Sequence, residues 1–113
     1  MVEKLECITR EILLSFWKVH ILHHAAEGPI YGQWVVRELH RHGYEISPGT
    51  LYPLLQRMER NGWLRRASNK DTGPRARKNY LLSVEGKEVL QVVRRQVDEM
   101  HREVVRRVGE RQR

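Results

Sequence analysis

The stretch "ISPGTLYPLLQRMERNGWL", residues 46–64, predicts a helix that carries a glycine and two prolines in or near its first two turns. The 3.6-residue period of a helix sorts this stretch into two faces. The apolar face consists of Leu51, Leu54, Leu55 and Met58. The opposite face consists of Gly49, Tyr52, Pro53, Gln56, Arg57 and Arg60. The helix-breaking residues are therefore predicted to face outward. Gly49 has no side chain there that would keep another molecule away from the backbone.

Two starting points of this helix are compatible with its sequence. If it begins near Thr50, Pro53 falls in the first turn, where its missing N–H would have no intrahelical partner. If Ser47 is the N-cap and Pro48 the first helical residue, Pro53 forfeits one hydrogen bond and frees a carbonyl that faces solvent. We favour the first alternative, with an irregular first turn. In both cases Gly49 leaves the N–H groups and the positive dipole end of the helix open to a phosphate.

Two further helices are predicted upstream of this one. Apolar residues recur at helical spacing from Leu5 to about Ala26 and occupy more than one face, which predicts that a second chain covers part of the helix. The next helix should run from about Tyr31 to His42 and end at Gly43.

A two-stranded hairpin is predicted downstream, because Trp63 to Ala67 and Arg77 to Leu82 alternate partially around the turn-rich "SNKDTGPR". Two strands alone are marginally stable, so the hairpin should pack against the helices. One acid, Asp71, stands among its basic residues, which are Arg65, Arg66, Lys70, Arg75, Arg77 and Lys78.

The last predicted element is a long helix that Ser83 caps and that ends near Val108. Apolar residues along it are spaced three and four apart, which is the pattern of a coiled-coil seam. The seam consists of Leu90, Val93, Val97, Met100 and Val104. No later element can cover these residues, so we expect the equivalent helix of a second copy to do so.

Positive charge is concentrated in the middle of the chain. Residues 47–82 hold eight Lys/Arg and two Asp/Glu, whereas residues 1–46 hold five and six, and residues 83–113 hold eight and six. A surface this locally positive favours a polyanion as partner, and a nucleic-acid backbone is the commonest one.

The order helix, turn, helix, basic hairpin is typical of a winged helix-turn-helix, a mainly α fold with a small β-hairpin wing. In that fold the second helix enters the major groove of double-stranded DNA and the wing contacts the flanking backbone. We expect residues 1–82 to form this DNA-binding domain and residues 83–113 the C-terminal dimerisation helix, together one compact unit. The alternative is that the basic residues form only a solvated face, but their concentration on one predicted surface argues against it.

Several classes of protein are disfavoured. Cys7 is the single cysteine, which favours a reducing, cytoplasmic location over a disulfide-bonded one. The apolar run "ILLSFWKVHILHHAA" is broken by Lys18 and three histidines and is shorter than the roughly 20 residues that cross a bilayer. No catalytic constellation and no glycine-rich phosphate loop is recognisable, so we expect neither an enzyme nor a cofactor.

Three stretches cover most of residues 20–86, namely "HILHHAAEGPIYG", "ISPGTLYPLLQRMERNGWL" and "GPRARKNYLLSVEG". They resemble successive motifs of the PadR family of bacterial transcriptional regulators. The resemblance implies a homodimeric winged-helix repressor with a single C-terminal dimerisation helix. It also implies that a set of residues lies at or near DNA: Tyr31, Ser47, Pro48, Gly49, Thr50, Tyr52, Arg75, Arg77 and Lys78.

The residues of this surface divide by the chemistry they offer. Side chains suited to phosphates give affinity without sequence information, and they are Arg75, Arg77, Lys78, Tyr31 and Ser47. The candidates for base edges are Thr50, Tyr52, Gln56 and Arg57, since glutamine pairs with adenine, arginine with guanine, and threonine or tyrosine contacts a thymine methyl group. Tyr52 has a second interpretation as a packing residue.

Histidines of the first helix suggest a metal site. His20 and His24 lie four residues apart on one face and His23 is adjacent, which is usable spacing for a transition metal. Glu27 or a dimer mate could complete the ligand set. Histidines that flank an interface are more often packed or solvated, and we expect His40 and His42 at the surface.

The predicted dimer interface combines the terminal seam with Leu5, Ile8, Ile12 and Phe16 of the first helix. A pocket for a small-molecule effector could lie between protomers, lined by Phe16, Trp17 and Trp34, although these aromatic residues could equally be core. The combined interpretation is a homodimer that binds a pseudo-palindromic operator and represses transcription. The rival interpretations are an interaction module that binds an acidic protein or structured RNA, and a metal-responsive regulator that uses His20 and His24.

Overall fold

The computed structural model describes residues 2–67 and 77–106, with the side chains of residues 9–67 and 77–106. The helices are α1 (Val2–Glu27), α2 (Gly32–Arg41), α3 (Pro48–Arg60) and α4 (Val84–Met100), and a π-helical turn, His101–Arg106, continues α4. The strands are β1 (Ile30–Tyr31), β2 (Leu64–Arg66) and β3 (Asn79–Leu82). The predicted fold class, mainly α with a small β wing, is confirmed.

Helix α3 begins at Pro48, so the preferred start near Thr50 was wrong and the alternative is confirmed. The backbone carbonyl of Ser47 accepts from the N–H groups of Thr50 (3.1 Å) and Leu51 (3.0 Å), so the first turn closes two residues earlier than expected. Pro48 suits this place because its fixed φ is already helical and its missing N–H needs no partner. Pro53 then lies inside the helix and gives up one backbone hydrogen bond on the exposed side.

The inner face of α3 forms the centre of the hydrophobic core, as the helical wheel predicts. Leu51, Leu54, Leu55 and Met58 are all buried, and they pack with Ile21 of α1 and with other apolar side chains of the helices and strands. Close packing of this inner face against the core fixes which face of α3 remains in solvent.

The sheet has three antiparallel strands in the order β1-β3-β2, one more than the sequence predicts. In the hairpin, Leu64 pairs with Leu82 and Arg66 pairs with Tyr80, while Ile30 of β1 pairs with Tyr80 from the other side. A strand of two residues is too short to show a period of two, and so sequence patterning could not identify β1. The hairpin base is thereby held against the start of α2.

Ser83 ties α4 to the hairpin, and its predicted role as N-cap is confirmed. Its Oγ accepts from the N–H of Gly86 at 2.9 Å, and its own hydroxyl faces the backbone carbonyls of Gly62 and Trp63. Gly86 lies so close to the Trp63 carbonyl that a Cβ atom there would overlap with it. The wing and the terminal helix are therefore joined rigidly at this point.

Helix α4 packs against α1 and leaves most of its length in solvent. Leu90, which the seam pattern placed in the dimer interface, is only 3% exposed and packs in the core of its own chain, so a partner chain has no further area to cover there. The predicted end near Val108 lies outside the described residues. Among residues 2–67 and 77–106, no helix has the length and apolar character that a membrane span requires.

Candidate nucleic-acid interface

The outer face of α3 is open to solvent. Ser47, Pro48, Gly49, Gln56 and Arg57 are exposed, and Thr50 is half-buried, because the four apolar residues of the opposite face hold the helix against the core. The structure thus leaves Gln56 and Arg57 exposed along α3, and Ser47, Pro48 and Gly49 exposed at its N-terminal end.

The N-terminal end of α3 has no side-chain cap. The Ser47 Oγ makes no cap hydrogen bond to the backbone and lies 3.4 Å from the Thr50 hydroxyl, and no acidic residue occupies the first turn. A Cβ atom at Gly49 would meet only the Ser47 Oγ, at 3.7 Å, so the space around this residue is open. Without a side chain at Gly49, another molecule can approach the backbone closely. Backbone N–H groups and the positive end of the helix dipole make such a tip suitable for an anion.

Tyr52 is partly packed against its own chain and partly exposed, so it has features of both interpretations, as a packing residue and as a DNA contact. Its ring lies against Gly32 at the start of α2, where a Cβ atom would overlap with it, yet 41% of the residue remains exposed. Gly32 therefore sets the position of the Tyr52 ring, and the ring in turn connects α2 to the outer face of α3.

A groove of about 430 Å³ separates the outer face of α3 from the base of the wing. Polar side chains and the apolar side chain of Leu55 both contribute to its lining. The residues that line it are Tyr31, Gly32, Gln33, Tyr52, Leu55, Gln56, Arg77, Lys78 and Tyr80. Gln33 was not predicted, since nothing in the sequence shows that the first turn of α2 faces β3.

Tyr31 is the contact point between α2 and the wing. The Arg77 guanidinium lies over its ring, 4.0 Å from the centroid, and Arg37 Nη2 donates to its hydroxyl at 3.2 Å. Cation–π contact holds the planar guanidinium in a fixed orientation beside the groove. Sequence analysis missed Arg37, which reaches the Tyr31 hydroxyl because Tyr31 is the N-cap residue of α2 and Arg37 lies in the second turn of that helix.

The other basic residues of the hairpin differ in their surroundings. Arg66 pairs with Glu59 at 3.5 Å and lies 5.8 Å from the ring centroid of Tyr80, whose pKa is raised by burial. Lys78 is exposed at the groove. Arg75, a predicted phosphate contact, lies outside the described residues.

The aromatic residues predicted to line an effector pocket have separate surroundings. Trp17 is buried in the core with its ring edge-on to Tyr44, 6.3 Å between centroids, whereas Trp34 lies edge-on to His24 at 5.3 Å. Phe16 is exposed on α1. Trp17 is thus a core residue, which favours the alternative that sequence analysis kept open for it.

A histidine cluster lies on the other side of α2. His20 and His24 of α1 are joined by His42, the C-cap residue of α2, and the His20 and His42 rings are 4.8 Å apart. The pKa of His20 is lowered by burial first, then by the neighbouring charges of His42, His24 and His23, while Glu38 acts in the opposite direction. The expected surface location of His40 and His42 is confirmed, because both residues are exposed, but the contact between His42 and His20 was not predicted.

Comparison with known proteins identifies the family. Residues 21–92 match the transcriptional regulator PadR-like family. The chain belongs to the PadR family. Transcriptional regulator Rv3488 of Mycobacterium tuberculosis is 44% identical over 96 residues, which are 85% of this chain and 89% of that protein.

Solved PadR structures share the fold. A PadR family transcriptional regulator from Eggerthella lenta superposes with a TM-score of 0.71 at 28% identity and covers 96% of this chain and 99% of its own. A PadR-like transcriptional regulator from Bacillus cereus gives a TM-score of 0.77 at 24% identity, over 89% and 99% of the two chains, which shows the fold alone.

The family assignment confirms several expectations from the sequence. PadR proteins are transcriptional regulators and not enzymes, and regulators of this family bind DNA. The chain is therefore a PadR-family transcriptional regulator with a winged-helix fold.

Proposed function

We propose that this PadR protein is a sequence-specific repressor that binds, as a homodimer, a pseudo-palindromic operator in double-stranded DNA. The observation that carries the proposal is the groove itself. One wall is the exposed polar face of α3 and the other is the cationic base of the wing, with Arg77 oriented by Tyr31. This arrangement matches a helix that enters the major groove while the wing follows the phosphate backbone.

The residues of α3, its N-terminal end and the wing divide into two functional groups in this proposal. Gln56 and Arg57, on the middle turns of α3, contact base edges together with Thr50 and Tyr52. The uncapped tip formed by Ser47, Pro48 and Gly49 contacts a phosphate, and so do the wing residues and the Tyr31 hydroxyl. The phosphate contacts account for affinity and salt dependence, and the α3 side chains account for sequence preference.

Exposed apolar side chains of α4 and α1 support the homodimer. Val97, Met100, Val104 and Ile12 are between 47% and 60% exposed in the single chain. Phe16 is exposed and Val93 is half-buried, so both have area left to bury. Helical seams of this kind join two copies in parallel or antiparallel coiled coils. We include Leu5 and Ile8 of α1 from the sequence pattern and leave out Leu90.

In this proposal residues 1–82 form the DNA-binding domain and residues 83–113 the dimerisation helix of one cytoplasmic protein. Two DNA-binding units joined by one interface contact two half-sites whose spacing depends on their relative angle. A small-molecule effector that binds one angle better than the other would shift the equilibrium between operator-bound and free protein.

Selection of bound fragments from the source genome, followed by fluorescence polarisation with the selected duplex, tests the proposal. Gln56→Ala should remove the preference for the selected duplex over random DNA, whereas Lys78→Ala should weaken both alike and reduce the salt slope by about one unit. Lys87→Ala removes an exposed lysine of α4 as the matched control and should change neither. Equal affinity of the unmodified protein for every duplex would instead favour a module that binds an acidic protein or structured RNA.

A further inference from the structure

Four imidazole rings converge where the last turns of α1 meet the end of α2. His20, His23 and His24 come from α1, and His42 follows the last turn of α2. The ring centroid of His24 lies 6.0 Å from that of His42 and 6.3 Å from that of His20, with interplanar angles of 29° and 16°. A cavity opens over these rings, and Glu38 and Trp34 line its other side.

Nitrogen atoms from three of these rings lie close together. One ligand nitrogen from each of His20, His24 and His42 lies within 4.8 Å of the other two. The Nε2 atoms of His24 and His42 both face the same carboxylate oxygen of Glu38, at 3.8 Å and 3.4 Å. Arg41 donates two hydrogen bonds to that carboxylate, at 2.6 Å and 3.3 Å, and so holds it in place.

His24 carries an unsatisfied nitrogen at the centre of the cluster. Its side chain is only 11% exposed, and its Nε2 is buried without a hydrogen-bond partner among the described residues, since 3.8 Å to Glu38 is too long for one. The Nδ1 atom of the same ring, in contrast, lies 3.2 Å from a Glu27 oxygen. A buried polar atom of this kind is costly unless a ligand completes its coordination.

We propose that His20, His24 and His42 bind a divalent transition-metal ion of the zinc class, next to the Glu38 carboxylate. Imidazole nitrogens favour ions such as Zn²⁺, Ni²⁺ or Co²⁺, whereas Mg²⁺ and Ca²⁺ prefer oxygen ligands. The Glu38 charge offsets that of the cation and lies within reach as a further ligand. Three protein nitrogens with room for another ligand is a familiar zinc arrangement.

The cluster needs only side-chain movement to accept the ion. Zn–N bonds of about 2.0–2.1 Å in a tetrahedron place neighbouring nitrogens about 3.3 Å apart. Closing the present spread of up to 4.8 Å to that value requires rotation about the χ angles of His20, which is half-buried, and His42, which is exposed. The backbone positions come from two helices already packed together.

A second group of potential ligands overlaps with the first at His24. His23, His24 and Glu27 also bring ligand atoms within 4.8 Å, but all three belong to the last turns of α1. The side chains of His23 and Glu27 are 48% and 62% exposed, and they already pair with each other at 3.6 Å. The group that includes His42 has ligands fixed by two elements and is the better-organised site.

Zinc chloride titrated into the full-length protein by isothermal calorimetry, in a preparation without a histidine tag, tests the site directly and needs no DNA. The unmodified protein should bind about one Zn²⁺ per chain at this site, and Mg²⁺ should not compete. His42→Ala should weaken Zn²⁺ binding at least about tenfold, by comparison with the loss when even an outer-shell partner is removed.

His23→Ala and His101→Ala are the matched controls, and both should keep the affinity of the unmodified protein. His23 belongs only to the overlapping group, and His101 lies on the π-helical turn outside both groups. Unchanged affinity in His42→Ala would overturn the proposal. Loss of affinity in His23→Ala with retention in His42→Ala would also overturn it, by placing the ion on the α1 group.

X-ray absorption of the zinc-loaded protein provides a measurement that does not depend on a variant. The first coordination shell should contain only nitrogen and oxygen, with the scattering pattern of three imidazoles. A shell with fewer than three imidazoles would overturn the proposal.

Discussion

Two surfaces of this PadR protein are exposed for opposite reasons. The outer face of α3 is polar and exposed, and the cationic side chains of Arg77 and Lys78 border it. Water solvates such a face well, so it does not need to be covered by a partner. The outer face of α4 is apolar, with Val97 and Met100 each 47% exposed. An apolar helical face in water loses the free energy that burial would supply, about 25 cal/mol for each Å². The first surface is compatible with solvent by its own polar composition, whereas burial of the second surface in the proposed dimer would stabilise the protein.

The largest effect is expected when apolar residues on the exposed face of α4 are replaced with charged ones. In the double variant Val97→Glu/Met100→Glu, like charges from two copies would meet in the seam, and dimer affinity should fall by about a hundredfold or more, roughly 3 kcal/mol. Operator affinity should fall with it, since each unit would bind its half-site alone. Sedimentation equilibrium measures the first effect and fluorescence polarisation the second.

Gln96→Glu introduces the same side chain on the same helix outside the seam, at an exposed residue, and serves as its control. The expected dimer affinity of this variant is that of the unmodified protein. Equal dissociation of both variants, or none in either, would contradict the assignment of the apolar face as the interface.

The next prediction concerns the junction that joins the two surfaces. Gly86→Ala places a methyl group against the Trp63 carbonyl and should lower the free energy of unfolding by about 1–3 kcal/mol. Chemical denaturation followed by circular dichroism measures this change. Gly28→Ala is the matched control, because a Cβ atom at Gly28 has no neighbour within 4 Å, and it should remain close to the unmodified protein.

The smallest change in stability is expected from Gly32→Ala. This substitution alters the polar surface at α3 and leaves the apolar face of α4 unchanged. The added methyl group should displace the Tyr52 ring into solvent and change the free energy of unfolding by less than about 1 kcal/mol, because the ring is partly exposed. Operator affinity should still fall several-fold, since Tyr52 leaves its place on the groove. An unchanged operator affinity together with a large loss of stability would show that Tyr52 is a packing residue only.

Local patterns in the sequence predicted much of the fold. The wheel of α3 separated the buried Leu51 and Met58 from the exposed Gln56 and Arg57, because burial of an amphipathic helix follows from its own period. The Ser83 cap was predictable for a similar reason, since a cap depends on residues three apart. The start of α3 was not, because two prolines allowed two registers and only the hydrogen bonds of the Ser47 carbonyl distinguish them.

Features that depend on distant residues could not be predicted. Strand β1 exists because Ile30 meets Tyr80, fifty residues later, and two residues carry no pattern of their own. Leu90 fits the heptad as well as Val97 does, but α4 begins against the core and only its later turns extend into solvent. The heptad indicated which side of the helix is apolar, and the packing of α4 decided how much of that side its own chain covers.

By itself the sequence determined the helices, the basic hairpin, the outward face of α3 and membership of the PadR family, since these follow from periodicity, capping and motifs within short stretches. Only the tertiary structure decided that Tyr31, Tyr52 and Arg77 border one groove and that His42 joins His20 and His24. The physical reason is the range of the interactions. Local hydrogen bonds and helical periods depend on neighbouring residues, whereas the groove and the histidine cluster depend on how α1, α2, α3 and the sheet pack around one core.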